Sequence, residues 1–341
     1  MELYLDSVDF KEIEEAVKLG TLVGLTTTPT FMHRHGITDI DGTILKLSQM
    51  VKVLQVEALG DNADEVYKEA HRLLDLGLKK ETTVFKIPVS IEAIKACKRL
   101  TDEGIMVNIH LVYTLQQAYM AAIAGATYVC PLVGRLQDQG YDALALVKQC
   151  VDMVKHYGYS SKIMFSSVRH AEHVRNAITM GVHTCTIPWG VMKNLTENNL
   201  TKLGTQQFIE HTRLVTVKVG DVLRDVNSEV DVNDTVTDAI VRMTESGMGA
   251  VAVIDANRKL AGIFTDGDLR RHLKDSGRAI LQQQMSEISY KSPLTVSADA
   301  LLIEAVDLFK KHRVDNLIVT QADTVVGMLD IQDLVKMNLI G

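Results

Sequence analysis

Glu81-Thr-Thr-Val-Phe-Lys-Ile-Pro-Val-Ser90 places a lysine inside a run of strand formers. Val84, Phe85, Ile87 and Val89 read together as a short strand buried on both sides, and Pro88 closes it. A charged amine in such a strand is unfavourable unless it is paired or gives up its proton. An amine without its proton is a nucleophile for carbonyls. The alternative is a lysine at a strand end whose ammonium reaches back to water. The segments on either side of it decide between the two.

Short apolar runs at 3–5, 22–25, 53–56, 106–112, 128–133, 162–165 and 184–187 alternate with amphipathic segments up to about residue 214. Asp9 reads as the cap of the first helix and Gly77 as the stop of the one before the lysine strand. Strand followed by helix, eight times over, predicts an α/β fold of the closed (β/α)8 TIM-barrel type. An open doubly wound sheet would have fewer strands and a glycine-rich first turn, and Asp6-Ser-Val-Asp9 has no glycine. In a barrel the chemistry sits at the C-terminal strand ends. Those ends carry Asp6, Thr26, Thr28, Glu57, Lys86, Asn108, His110, Arg135, Ser167 and Arg169, which are expected to converge on one mouth.

A second unit starts near residue 215, so the expected division is 1–214 and 215–341. It repeats with a period of about 60–65 residues, the first copy at about 215–278 and the second at about 279–341. Gly262-Ile-Phe-Thr-Asp-Gly-Asp-Leu269 corresponds to Gly327-Met-Leu-Asp-Ile-Gln-Asp-Leu334. In both, a strand runs through glycine into a helix that begins with acids.

The 341 residues are 46% hydrophobic and 23% charged, ordinary for a globular protein with sizeable cores. A net charge of -7 without a long basic run argues against nucleic acid or an acidic membrane surface as partner. No apolar run is long enough to span a bilayer, and the first residues lack a signal-peptide pattern, so a cytoplasmic location is expected. Cys97, Cys130, Cys150 and Cys185 lack metal-type spacing and read as reduced, buried thiols, so no metal site is expected.

Met1-Glu-Leu-Tyr-Leu-Asp6, Gly24-Leu-Thr-Thr-Thr-Pro29, Phe85-Lys-Ile-Pro88, Ala124-Gly-Ala-Thr-Tyr-Val129, Pro131-Leu-Val-Gly-Arg135 and Ser167-Val-Arg169 occur in this order along the barrel. Together they resemble the short transaldolase and fructose-6-phosphate aldolase family. The resemblance implies a Schiff-base aldolase or transaldolase acting on a phosphorylated sugar. It puts Lys86 on the Schiff-base lysine, Arg135 and Arg169 on phosphate-binding positions, Asp6 and Glu57 on proton-handling positions, and Ser167 on a substrate contact. It implies no cofactor for the carbon–carbon step and a homo-oligomer. The residue chemistry agrees. C–C cleavage beside a carbonyl leaves a carbanion that a protonated Schiff base can accept, and a carboxylate can move the hydroxyl proton. Two guanidinium groups suit a phosphate, the alternative being surface pairing with Asp138 or Glu172.

Several positions depart from the resemblance. Thr27-Thr28-Pro29 stands where the family has Thr-Asn-Pro, His110 where it often has threonine, Cys130 for serine or alanine, and Leu132 for an aromatic. Thr28 therefore points to a changed donor. His110 is expected to share the proton relay with Glu57 and Asp6, the alternative being a hydrogen-bonded core residue. The rival readings are a lyase with a different donor and a barrel that binds a sugar phosphate as a regulator without turnover.

The repeat resembles a tandem CBS-domain pair, an α+β module. The resemblance implies an adenine or other nucleotide effector, with Asp268 and Asp333 on ribose hydroxyls and Thr265 near phosphate. Asp330 replaces a hydroxyl residue in the second copy, and the alternative is a pairing module without ligand.

Overall fold

A computed structural model describes residues 1–339. By contacts the chain divides into two compact units, residues 1–197 and residue 198 onward. The first is a closed barrel in which eight strands pair in sequence order. They are β1 (Glu2–Asp6), β2 (Leu22–Thr26), β3 (Val53–Glu57), β4 (Thr83–Pro88), β5 (Met106–Val112), β6 (Tyr128–Pro131), β7 (Lys162–Phe165) and β8 (Thr184–Ile187). All pairings are parallel, and β1 against β8 closes the ring.

Strand alternation divides the apolar residues between two cores. Phe85 and Ile87 of β4 point outward into the layer shared with the helices, beside Leu54, Val56, Val107 and Ile109. Val84 points inward and meets Tyr4, Tyr128, Cys130 and Met164 inside the barrel. A fully buried side chain of this kind contributes roughly 1.5–3 kcal/mol. Lys86, two residues beyond Val84, shares its inward face, one layer nearer the mouth. The β4 run is buried on both faces, as its composition implied.

Caps fix where the helices start. Asp9 accepts from Lys11 N and Glu12 N at the start of Phe10–Lys18. Ser90 accepts from Ala93 N at the start of Ile91–Asp102, which anchors the chain just after β4. Two details differ from the expected pattern. The sixth strand ends at Pro131, which has no N–H to continue the ladder, and Val133–Asp138 coils into a short helix. Pro29–Arg34 is also a short helix, with Pro29 in its first turn and Thr28 as its cap.

The second unit opens with the helix Asn199–Thr216, which packs on Leu302–His312. Two three-stranded sheets of like topology follow. One holds β9 (Glu229–Asp231), β10 (Ala250–Ile254) and β11 (Leu260–Thr265), the other β12 (Thr295–Ser297), β13 (Asn316–Gln321) and β14 (Thr324–Asp330). In each, the central strand pairs parallel with the first and antiparallel with the third. Each copy has its own core, and Ala250, Ala252, Ile318 and Met328 belong to a third core between the sheets. The copies cross the linear division at 278/279. Val219 packs in the second copy's core and donates to Ala300 O at 2.8 Å. Met285 packs in the first copy's core and donates to Asp234 O at 2.8 Å. Among the described residues no helix is long and apolar enough to cross a membrane.

Candidate active site

The C-terminal strand ends surround a cavity of about 800 Å³. Nine of the ten barrel residues expected at the mouth line it, and Asn108 does not. Lys86 reaches it from β4, where its Nζ lies 3.0 Å from Glu57 Oε1 and donates to Thr27 O at 2.7 Å. The Lys86 and Glu57 side chains are each 6% exposed, so this is a largely buried ion pair. It answers the question that the β4 sequence posed: the buried amine is paired. The register that delivers the pair is Glu57 beside Lys86 on adjacent strands.

Glu57 faces a second group. Its Oε2 lies 2.9 Å from His110 Nε2, a close contact bent away from ideal hydrogen-bond alignment. His110 pairs in register with Pro88, and Asn108 pairs with Lys86. His110 therefore stands two residues nearer the mouth than Lys86 and meets it through Glu57. Burial works against the Glu57 charge, but Lys86 and His110 outweigh it and hold the carboxyl below its ordinary range. Burial pushes His110 below the ordinary imidazole value despite the upward pull of Glu57, and Lys86 and Arg135 add to the downward push. Both shifts describe a neutral imidazole beside a carboxylate.

Across the mouth, Asp6 Oδ1 accepts from Thr26 Oγ1 at 2.8 Å, and Thr26 Oγ1 also lies 2.5 Å from Thr186 Oγ1. Burial raises the Asp6 carboxyl against the pull of Lys86 and the Thr26 hydroxyl. Thr186 was not singled out from the sequence, although a threonine one residue from the end of the strand that Pro188 follows was a usable signal. Asn108 lies beneath the mouth, fully buried, donating to Gln55 Oε1 at 2.6 Å. Gln55 was also missed, although its spacing of two from Glu57 puts both on the inward face of β3. The Cys130 thiol, also on the cavity wall, is pushed up to about 11 by burial.

Two arginines stand at the rim in different states. Arg135 was expected at a strand end and instead rides on the helix Val133–Asp138 because β6 stops at Pro131. Among the described residues no carboxylate pairs with it. Arg169 donates through Nη2 to Asp138 Oδ2 at 2.5 Å, the surface pairing weighed as its alternative. Ser167 between them adopts φ 58, an unusual left-handed backbone for serine. Gly134 permits this crowding, since a Cβ there would lie 2.3 Å from Ser167 O and 2.9 Å from Arg169 Nε. The Thr28 hydroxyl, at the rim opposite, accepts from Phe31 N at 3.3 Å.

The model of the transaldolase/fructose-6-phosphate aldolase family matches residues 3–235. The chain belongs to that family. The CBS-domain model matches residues 212–275 and 285–339. Over 211 residues the chain is 38% identical to a probable transaldolase of Coprothermobacter proteolyticus, covering 61% of this chain and 95% of that one. A probable transaldolase of a Thermoanaerobacter species is 34% identical over 220 residues, covering 64% of this chain and all of its own. A CBS-domain containing protein of Agrobacterium tumefaciens is a structural neighbour at 27% identity and TM-score 0.32, covering 36% of this chain and 92% of that one. The transaldolase-family barrel of this chain is thus followed by a tandem CBS pair.

In the CBS pair the acids are engaged by the protein itself. Thr265 caps Asp266–Ser276, and its Oγ1 donates to Asp268 Oδ2 at 2.7 Å while accepting from Asp268 N at 3.2 Å. Arg271 holds the other oxygen of Asp268. Asp330 caps Ile331–Lys336 through Gln332 N at 2.7 Å. Asp333 Oδ1 accepts from Arg224 Nε at 2.7 Å, and its Oδ2 has no protein partner. Arg224 was not anticipated, because it lies 109 residues from Asp333 along the chain.

Proposed function

We propose that the barrel is a Schiff-base aldolase or transaldolase acting on a phosphorylated sugar, and that the CBS pair binds a nucleotide that regulates it. Lys86 passes a proton to the Glu57 carboxylate beside it, attacks the substrate carbonyl and forms the protonated imine, the carbonyl oxygen leaving as water with the proton returned from Glu57. The carbon–carbon bond then breaks, with its electron pair drawn into the iminium. Asp6, Glu57 and His110 form the proton-handling group. Thr26, Thr28, Asn108 and Ser167 arrange the substrate, with Asn108 acting from below the floor, and Arg135 and Arg169 receive the phosphate at the rim. The carbon–carbon step calls for no metal or organic cofactor.

The observation that carries this reading is a lysine buried on an inward strand face, ion-paired to Glu57, at the wall of an 800 Å³ cavity rimmed by two arginines. A specific observation favours a changed donor. Thr28 spends its acceptor oxygen on the cap of Pro29–Arg34 and offers one hydroxyl where an asparagine would offer an amide. In the CBS pair, Thr265, Asp268, Asp330 and Asp333 are the proposed nucleotide contacts, and a ribose taking either Asp268 or Asp333 must displace Arg271 or Arg224.

Borohydride reduction in the presence of a panel of ketose and aldose phosphates tests the barrel. The expected result is a stable mass addition on the peptide containing Lys86, absent in Lys86→Met. Inactivation without that adduct, or an adduct on another lysine, removes the assignment. For the CBS pair, a nucleotide that binds the folded unit raises its melting temperature by mass action, and Asp268→Ala is expected to abolish the shift.

A further inference from the structure

The two nitrogens of His110 stand in different surroundings. Nε2 is turned to Glu57 Oε2 at 2.9 Å, and neither atom has another protein partner. Nδ1 makes no protein hydrogen bond among the described residues, and the ring lines the cavity. In a neutral imidazole the nitrogen that faces a carboxylate carries the proton, and the other keeps its lone pair. A bent contact of this kind is common before substrate binds and tightens in the complex.

The backbone holds His110 in this place. The ladder between β5 and β6 shifts register between Ile109 and Val112, a bulge beside the site. Leu111 takes up the irregularity at φ 54, a left-handed backbone that leucine rarely adopts. Strict alternation would turn residues 110 and 111 to opposite faces of the sheet, yet both line the cavity. The His110 carbonyl is tied to Val89 N at 3.0 Å, which fixes the ring's strand against the end of β4.

We propose that His110 Nδ1 is the base that takes the substrate's hydroxyl proton during C–C cleavage, and that Glu57 is the positioning residue that orients the ring. This rests on the Schiff-base reading of Lys86. The hydroxyl O–H proton passes to Nδ1, and the oxygen forms the new carbonyl as the C–C bond breaks. The electron pair of that bond enters the Lys86 iminium, which becomes a neutral enamine while the imidazole becomes imidazolium. Charge is conserved, and Glu57 lies beside the positive charge in both states. The charged groups facing the ring are Glu57 on β3, Lys86 on β4 and Arg135 on the helix after β6.

The test uses His110→Gln and Glu57→Gln in the full chain. His110→Gln keeps an N–H for Glu57 and removes the base. It is expected to lower kcat roughly a hundredfold, the low end for a lost general base, with little change in KM. The acid limb of kcat/KM, expected below about pH 6.5, should disappear, while the borohydride adduct at Lys86 persists. Glu57→Gln should move that limb to lower pH, because the imidazolium loses its carboxylate. A limb unchanged in His110→Gln, with turnover near that of the native chain, overturns the proposal alone. An absent adduct in the native chain overturns both the proposal and the Schiff-base reading. Nitrogen NMR of the native protein, which depends on no variant folding, should find His110 neutral with the proton on Nε2; a proton on Nδ1 overturns the proposal.

Discussion

The barrel mouth and the CBS pair both gather acidic and basic residues at strand ends, but they use them differently. At the mouth, Lys86, Glu57 and His110 come from three strands and meet only through the fold, largely buried and facing a cavity. In the CBS pair, Thr265, Asp268 and Arg271 lie within seven residues and satisfy one another around a helix start. Charges that meet only in the tertiary structure have a desolvation cost that one cavity-facing partner can exploit. Charges that satisfy one another locally act first as caps, and a ligand must compete with the protein for them.

The sharpest way to break this comparison is to remove one charge from each region. Glu57→Ala leaves the Lys86 ammonium buried without its carboxylate and should cost the barrel about 3–5 kcal/mol. The single tryptophan, Trp189, lies in the barrel unit, so its fluorescence in urea reports that loss by itself. Thr265→Ala removes a cap and should cost the CBS pair about 1 kcal/mol, read as a shift of its calorimetric transition. Equal costs would mean that the mouth charges are no more deeply committed than the caps.

The rim arginines allow a finer test. Arg135 is unpaired among the described residues, whereas Arg169 must leave Asp138 to meet a ligand. With a phosphorylated substrate, Arg135→Ala should raise KM roughly tenfold to a hundredfold. Arg169→Ala should raise it less, because the lost ligand contact is offset by an ion pair that no longer has to break. Steady-state kinetics giving equal effects would remove the distinction between the two arginines.

The smallest expected effect is in the pH dependence of barrel stability. Burial holds His110 below its ordinary value, so the unfolded chain binds more protons below about pH 6.5. The stability that the neutral ring contributes is complete above that pH and is lost as the pH falls. Glu57, also lowered, acts in the same direction at more acid pH. Asp6, raised by burial, acts oppositely: its contribution is present in acid and is lost as pH rises through its folded-state value. The Trp189-monitored urea midpoint should therefore fall between pH 6.5 and pH 5, and His110→Gln should flatten that slope. A slope that His110→Gln leaves unchanged would assign it to other groups.

The barrel, its strand order and the identity of most mouth residues were legible in the sequence because they depend on local periodicity. Short apolar runs, caps such as Asp9, and inward or outward alternation need no knowledge of distant neighbours. The repeat in the second unit was legible for the same reason, since Thr265 and Asp268 cap a helix wherever it packs. Only the tertiary structure decided register and pairing. It placed His110 two residues above Lys86 with Glu57 between them, sent Asn108 beneath the floor to Gln55, and gave Asp138 to Arg169 and Arg224 to Asp333. These outcomes depend on strand stagger and on contacts across tens of residues, where a shift of one position turns a side chain to the other face of the sheet. The sequence by itself thus determined which groups line the inside of the barrel, and the closed sheet decided which of them touch.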